Sequence, residues 1–141
     1  PPERSVWRAE RAISSVQKRF GFRQTNAHFD MLIINMKKFV LIYITNPDKK
    51  TARKIALILL KKRLIACANI FPIESSYWWK SKIAREKEFI IIAKTLEKSF
   101  AEIKKEIERV HPYSIPCIIK IPANANEKYF GWLKKEIGSK I

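Results

Sequence analysis

The sequence predicts an α+β sandwich of order βαββαβ, with an extended central β-hairpin and a closing C-terminal helix. Three observations predict it. Two segments repeat apolar residues at helical spacing, around Ala52 to Leu59 and around Phe100 to Val110. Before and after each lie runs rich in Ile, Val, Phe, Tyr and Trp, residue types that suit a pleated, half-buried surface. Strands and helices alternate so as to give two crossover connections with a hairpin between them.

Lys38 to Thr45 is a continuous apolar strand, as expected where both faces are covered. Asn46-Pro47 then reads as a helix start, with Asn as N-cap, Pro at the first helical position and Asp48 where the helix dipole favours negative charge. Ala52, Ile55, Ala56 and Leu59 form the inner stripe of this helix, which runs to about Arg63. Arg63 to Thr95 reads as one hairpin turning at Lys80-Ser81-Lys82. Its arms of about 14 residues approach 45 Å at about 3.3 Å per residue, too long for a small domain to cover. The outer end, with Tyr77, Trp78 and Trp79, is therefore expected to lie against something outside its own monomer. Pro72 cannot donate to a ladder and belongs at an edge or a bulge, so a bend is expected near Phe71-Pro72.

A second helix is predicted from Glu97 or Phe100 to Val110, with Ser99 and Glu102 spaced as a capping box. Phe100, Ile103, Ile107 and Val110 form its inner face, and Pro112 stops it. Ile115 to Ile121 is the last strand, and Asn126 to Ile137 a closing helix with Phe130, Leu133 and Ile137 on one side. The sum is a ferredoxin-like sandwich, two helices on one sheet face. The other face is too apolar for water: the strands at 39 to 44, 64 to 71 and 89 to 93 are apolar on both alternations. Association through sheet faces and hairpins is the physical solution.

The 141 residues suit one domain, and 47% hydrophobic content is enough for one core. Residues 1–35 read as an N-terminal extension, disordered or loosely helical, and 36–141 as the folded domain. Removing the extension is expected to leave folding intact. The formal charge of +16 is high for this size and suggests polyanions, although the lysines are spread over every predicted helix and suit a solvated surface. The glycine-containing RNP1 pattern is missing, so a nucleic-acid partner is not expected. Nothing is long enough to span a bilayer, and a membrane partner is not expected either. Two distant cysteines without a CxxC pair favour a reducing compartment, the cytoplasm.

Catalytic motifs are missing: there is no G-x-S-x-G, no glycine-rich phosphate loop and no H-E-x-x-H, and the chain has three glycines. The histidines are His28 and His111, which do not make a triad. The chain reads as a binding or regulatory protein rather than an enzyme. Candidate metal ligands are Cys67, His111 and Cys117; thiolates suit Cu(I), and imidazole suits Cu(II) or Zn. The bland alternatives are a small core residue for Cys67 and a helix C-terminal residue for His111. Tyr77, Trp79, Tyr113 and Trp132 either pack or line a pocket between subunits. Because the first strand separates the strands carrying the two thiols in such a sheet, one subunit is not expected to bring them together.

Ala66-Cys67-Ala68-Asn69, Ser76-Tyr77-Trp78-Trp79 with Lys82-Ile83, Lys94-Thr95, and His111-Pro112-Tyr113 with Pro116 stand in an order and spacing that resembles the CutA family of divalent-cation-tolerance proteins. The resemblance runs from Met36 to about Ile137. It implies a homotrimer that binds copper or another divalent metal ion in metal response, and it adds Lys94 and Trp78 to the residues of a pocket or interface between subunits. Two positions depart from the family pattern: Ser81 stands at the hairpin corner where Gly is usual, and Cys117 follows Pro116 where Glu is usual. A small-molecule sensor or signalling protein using clefts between subunits is the alternative function, with a basic nucleic-acid-binding domain ranked below it.

Overall fold

The computed structural model describes residues 38–138 and, ahead of them, Ala27 and His28. The chain divides into two units, Pro1–Ile34 and Asn35–Ile141, and the second is described here. The expected extension over 1–35 thus lies, but for Ala27 and His28, outside the described residues.

Strand β1 (Phe39–Asn46) leads through helix α1 (Lys49–Lys61) to the hairpin strands β2 (Cys67–Trp79) and β3 (Lys82–Leu96). A 3-10 turn (Glu97–Ser99) opens helix α2 (Phe100–Val110), and β4 (Ile118–Pro122) and α3 (Glu127–Glu136) follow. The sheet order is β2-β3-β1-β4 with every neighbour antiparallel, which is the ferredoxin-like arrangement expected.

Alternation along β1 separates two cores. Val40, Ile42 and Ile44 point to one face, with Ile91 and Ala93 of β3 opposite the last two, and there they meet Ala52, Ile55, Ala56 and Leu59 of α1 and Ile103 and Ile107 of α2. Phe39 and Leu41 point to the other face, where Phe39 and Leu96 pack with Leu133 and Ile137 at the end of α3. The closing helix therefore covers one end of the face that α1 and α2 leave bare, and the rest stays open.

The caps differ from the sequence reading. Asp48, not Asn46, is the N-cap of α1: its carboxylate accepts from the Thr51 backbone N–H at 2.7 Å. Asn46 is instead the fully buried last residue of β1, donating its side-chain N–H to the carbonyls of Ile44 and Phe89. Ser99 makes no side-chain cap, because the 3-10 turn before α2 has already put it in helical conformation and the Phe100 N–H donates to the Glu97 carbonyl. β4 is shorter than expected, beginning at Ile118 rather than Ile115. Of the two places expected to suit Pro72, an edge or a bulge, the structure gives the edge: β2 is an outer strand, and it pairs with β3 one to one from Cys67↔Lys94 to Trp79↔Lys82 without a bulge. The ladder explains how proline is tolerated. Glu97 donates to the Lys38 carbonyl, so alternate residues of β3 back to Phe89 turn their backbone groups toward β1 rather than β2. Pro72 lies opposite Phe89, and its missing N–H falls on the free edge of the sheet.

Helix α1 ends in a six-residue Schellman-type turn: Leu64 N–H donates to Leu59 and Arg63 N–H to Leu60, with Arg63 left-handed at φ 55°. The Arg63 guanidinium then reaches Glu136 of α3 at 2.6 Å, clasping the closing helix to the end of α1. The hairpin corner is also left-handed, at Lys80 (φ 46°) and Ser81 (φ 62°), the geometry that favours glycine in a two-residue turn. Ser81→Gly is expected to stabilise the fold by about 1 kcal/mol by removing that strain, read as a higher urea midpoint at unchanged slope.

Two carboxylates give the fold an acid limit. Hydrogen bonds from Thr51 hold Asp48 below its ordinary value, and bonds from Lys62 and then Arg109 do the same for Glu106. Depressed folded values mean that both stabilise fully above the ordinary carboxylate range, and that this is lost as pH falls through the folded values. The melting temperature of an Asp48→Asn, Glu106→Gln variant should therefore fall less steeply on acidification below about pH 4 than that of the parent.

Candidate functional site on the open sheet face

The register gathers most of the candidate residues on the face opposite α1 and α2, in two groups. At the α3 end, Cys67 of β2 lies opposite Lys94 of β3, which lies opposite Leu41 of β1. Tyr129 of α3 comes down on this row. Its phenol lies beside Cys67 and Lys94, the Lys94 Nζ stands 5.6 Å from its ring centroid, and Trp132, one turn on, lies 5.3 Å from it. Burial and the neighbouring Cys67 thiol raise the Tyr129 phenol above its ordinary value.

The second group surrounds Glu88, a carboxylate almost wholly buried on β3. The Tyr113 hydroxyl donates to it at 2.8 Å, and two residues along the same face the Tyr77 hydroxyl donates to Glu86 at 2.8 Å. Burial, then the bond to Glu88, pushes the Tyr113 phenol far above its ordinary value. Burial also raises Tyr43, and the charges of Cys117 and Glu88 act on it in the same direction. The ring of His111, the C-cap of α2, lies 5.0 Å from that of Tyr113, tilted by 55°.

This geometry qualifies the metal ligands. The Nδ1 of His111 accepts from the Tyr113 backbone N–H at 3.0 Å, and Nε2 lies 2.8 Å from the Thr45 carbonyl, which only accepts. The proton is thus on Nε2, and neither ring nitrogen has a lone pair free for a metal. Cys67 and Cys117 are both half-buried and free of disulfides. The strand order places β3 as well as β1 between β2, which Cys67 opens, and β4, which starts one residue after Cys117, one strand more than expected. That is about 14 Å across the sheet alone, so one chain cannot offer both thiols to one ion. Among the described residues no three of His, Cys, Asp and Glu converge into a metal site.

Tyr77, Trp78 and Trp79 stand near the hairpin tip, opposite Ala84, Ile83 and Lys82, with Trp78 74% exposed and on the other sheet face from its two neighbours. The sequence reading missed Tyr129 and Glu88. The signals were present: Tyr129 is one helical turn before Trp132, and Glu86 and Glu88 fall on one face of a strand by simple alternation.

Fold and site can be set beside known proteins. A family model described as CutA1 divalent ion tolerance protein matches residues 40–136. The chain belongs to the CutA1 family. The divalent-cation tolerance protein CutA of Archaeoglobus fulgidus is 44% identical over 97 residues, covering 68% of this chain and 95% of the relative. That of Pyrococcus horikoshii is 44% identical over 98 residues, covering 69% and 96%. Among solved structures, CutA1 from Oryza sativa aligns with a TM-score of 0.70 at 32% identity, covering 73% of this chain and 96% of that one. The A. fulgidus structure, described as a periplasmic divalent cation tolerance protein, aligns at 0.69 and 41% identity, covering 70% and 98%. All the candidate site residues fall inside the CutA1 match. CutA1 proteins are named for cation tolerance and not for a reaction. No helix among the described residues is long and apolar enough to cross a membrane.

Proposed function

We propose that this CutA1 protein acts in divalent-cation tolerance as a cytoplasmic homotrimer that binds copper through the thiolates of Cys67 and Cys117. The observation that carries the assembly is β2: none of its thirteen residues is buried, and Phe71, Tyr77, Trp78 and Trp79 along it are exposed. A strand of that composition finds its cover in other copies of the chain. Within one chain the donors do not add up to a metal site, so each thiol would contribute to a site completed by a neighbouring subunit. Two unpaired thiols suit a reducing compartment.

Titration of the reduced protein with Cu(I) and with Zn(II) tests this reading. Cu(I) is expected to bind more tightly, to weaken as pH falls because protons compete for thiolate, and to weaken about tenfold or more with Cys67→Ser. His111→Ala should leave affinity nearly unchanged, since both ring nitrogens are engaged elsewhere. Cys117→Glu should narrow the preference for Cu(I) over Zn(II). Unchanged copper affinity and stoichiometry in Cys67→Ser would remove that residue from the metal role.

A second reading is favoured by the arrangement at Lys94. Its ammonium, the Tyr129 and Trp132 rings and a half-buried thiol present a cation beside aromatic surface. A small-molecule sensor would use this pocket between subunits, and a metabolite that raises the melting temperature without metal would favour it.

A further inference from the structure

The outer side of α1 has no part in either core or in the open sheet face. Its sequence, KKTARKIALILLK, contains no acidic residue, and Lys62 and Arg63 extend it. The helices Phe100–Val110 and Glu127–Glu136 both carry carboxylates among their lysines. At about 100° per residue, Lys50, Lys54, Leu57 and Lys61 fall within an arc of roughly 60° directly opposite the inner residue Leu59, and Arg53 and Leu60 flank that arc. All six are exposed. Among the described residues no carboxylate stands within ion-pair distance of Lys50, Arg53, Lys54 or Lys61. Asp48, the nearest acid in sequence, is engaged in its cap bond to Thr51. The spread of lysines over all helices, read from sequence as a solvated surface, thus hides one row whose cations form no ion pair among the described residues.

We propose that this row is a docking surface for an anionic lipid bilayer, with α1 lying flat on the headgroups. Cations without intramolecular partners call for an anionic surface. The apolar residues choose which kind. Leu57 is 52% exposed at the centre of the row and Leu60 is exposed on its shoulder. Against a phosphodiester backbone these two side chains would face charge, whereas at a bilayer they enter the headgroup boundary while the lysine stems bend to keep their ammoniums among the phosphates. The row faces away from the sheet, so metal binding on the open face leaves it free. Such binding needs no spanning helix.

The test is co-sedimentation of the full chain with vesicles of phosphatidylcholine, alone and mixed with phosphatidylserine. Binding is expected to the mixed vesicles only, and to be reversed by high salt. Arg53→Glu with Lys54→Glu should lower vesicle affinity about tenfold or more, and Leu57→Ser severalfold. Both variants should keep the parent melting temperature, because these residues touch neither core. Vesicle binding unchanged by the charge reversal would place the interaction elsewhere in this basic chain and overturn the proposal. So would equal binding by Leu57→Ser and parent, or double-stranded RNA bound through Arg53 and Lys54 by a protein that ignores the vesicles.

Discussion

Glutamate at both Trp78 and Trp79 is expected to dissociate the assembly while leaving each subunit folded. Light scattering should give three times the 16.6 kDa chain mass for the parent and a single chain mass for the variant at micromolar concentration. Both rings lie at the end of a hairpin that its own domain cannot reach, and Trp78 keeps three-quarters of its surface in water. A fully buried tryptophan removes about 150 to 250 Å² from water; with Trp78 74% and Trp79 48% exposed, about 25 cal/mol per Å² gives up to roughly 3 to 5 kcal/mol for Trp78 and roughly 2 to 3 kcal/mol for Trp79. A charge there also needs desolvation, and the association constant should fall more than about a thousandfold. Circular dichroism should be unchanged, because neither ring belongs to either core. A parent that is itself monomeric at this concentration, or a variant that stays trimeric, would sink the proposed assembly.

Ile42→Ala should have the largest effect on the fold itself. Ile42 is fully buried on the central strand, between Ala93 of β3 and Lys120 of β4, and belongs to the core that α1 and α2 close. A neighbourhood built from two helices and a sheet cannot collapse into the space left behind, so a loss of about 3 to 4 kcal/mol is expected. For a domain of this size that lowers the melting temperature by roughly 12 °C or more. Leu57→Ala, on the outer side of α1, is the internal control and should change stability by less than about 0.5 kcal/mol. Equal losses at the two positions would mean that the burial assignment is wrong.

Strand and helix identity was legible because the apolar period changes cleanly from one segment to the next. Ala52, Ile55, Ala56 and Leu59 were read as the inner stripe of α1, and all four are buried. The length of the hairpin was legible from composition. The caps were not, because Asn46 suits a helix start on local chemistry alone, and only the pairing of β1 with β3 offers its amide the Phe89 carbonyl. The site was half legible. Cys67, Lys94, Tyr113 and Trp132 stood out as residue types, but their grouping depends on register and on where α3 lands, which no local pattern specifies. The engagement of His111 was hidden for the same reason, since its partner Thr45 is far away in sequence.

Pro72 has one more consequence. β2 is an edge strand rich in Ile, Phe, Tyr and Trp, a composition prone to recruiting further strands into fibrils. A proline whose missing N–H faces the free edge breaks the row of donors between Ile70 and Glu74, so an incoming strand cannot zip along the whole edge. At that position the proline costs the hairpin no internal hydrogen bond. It guards the most adhesive strand of the molecule against open-ended aggregation.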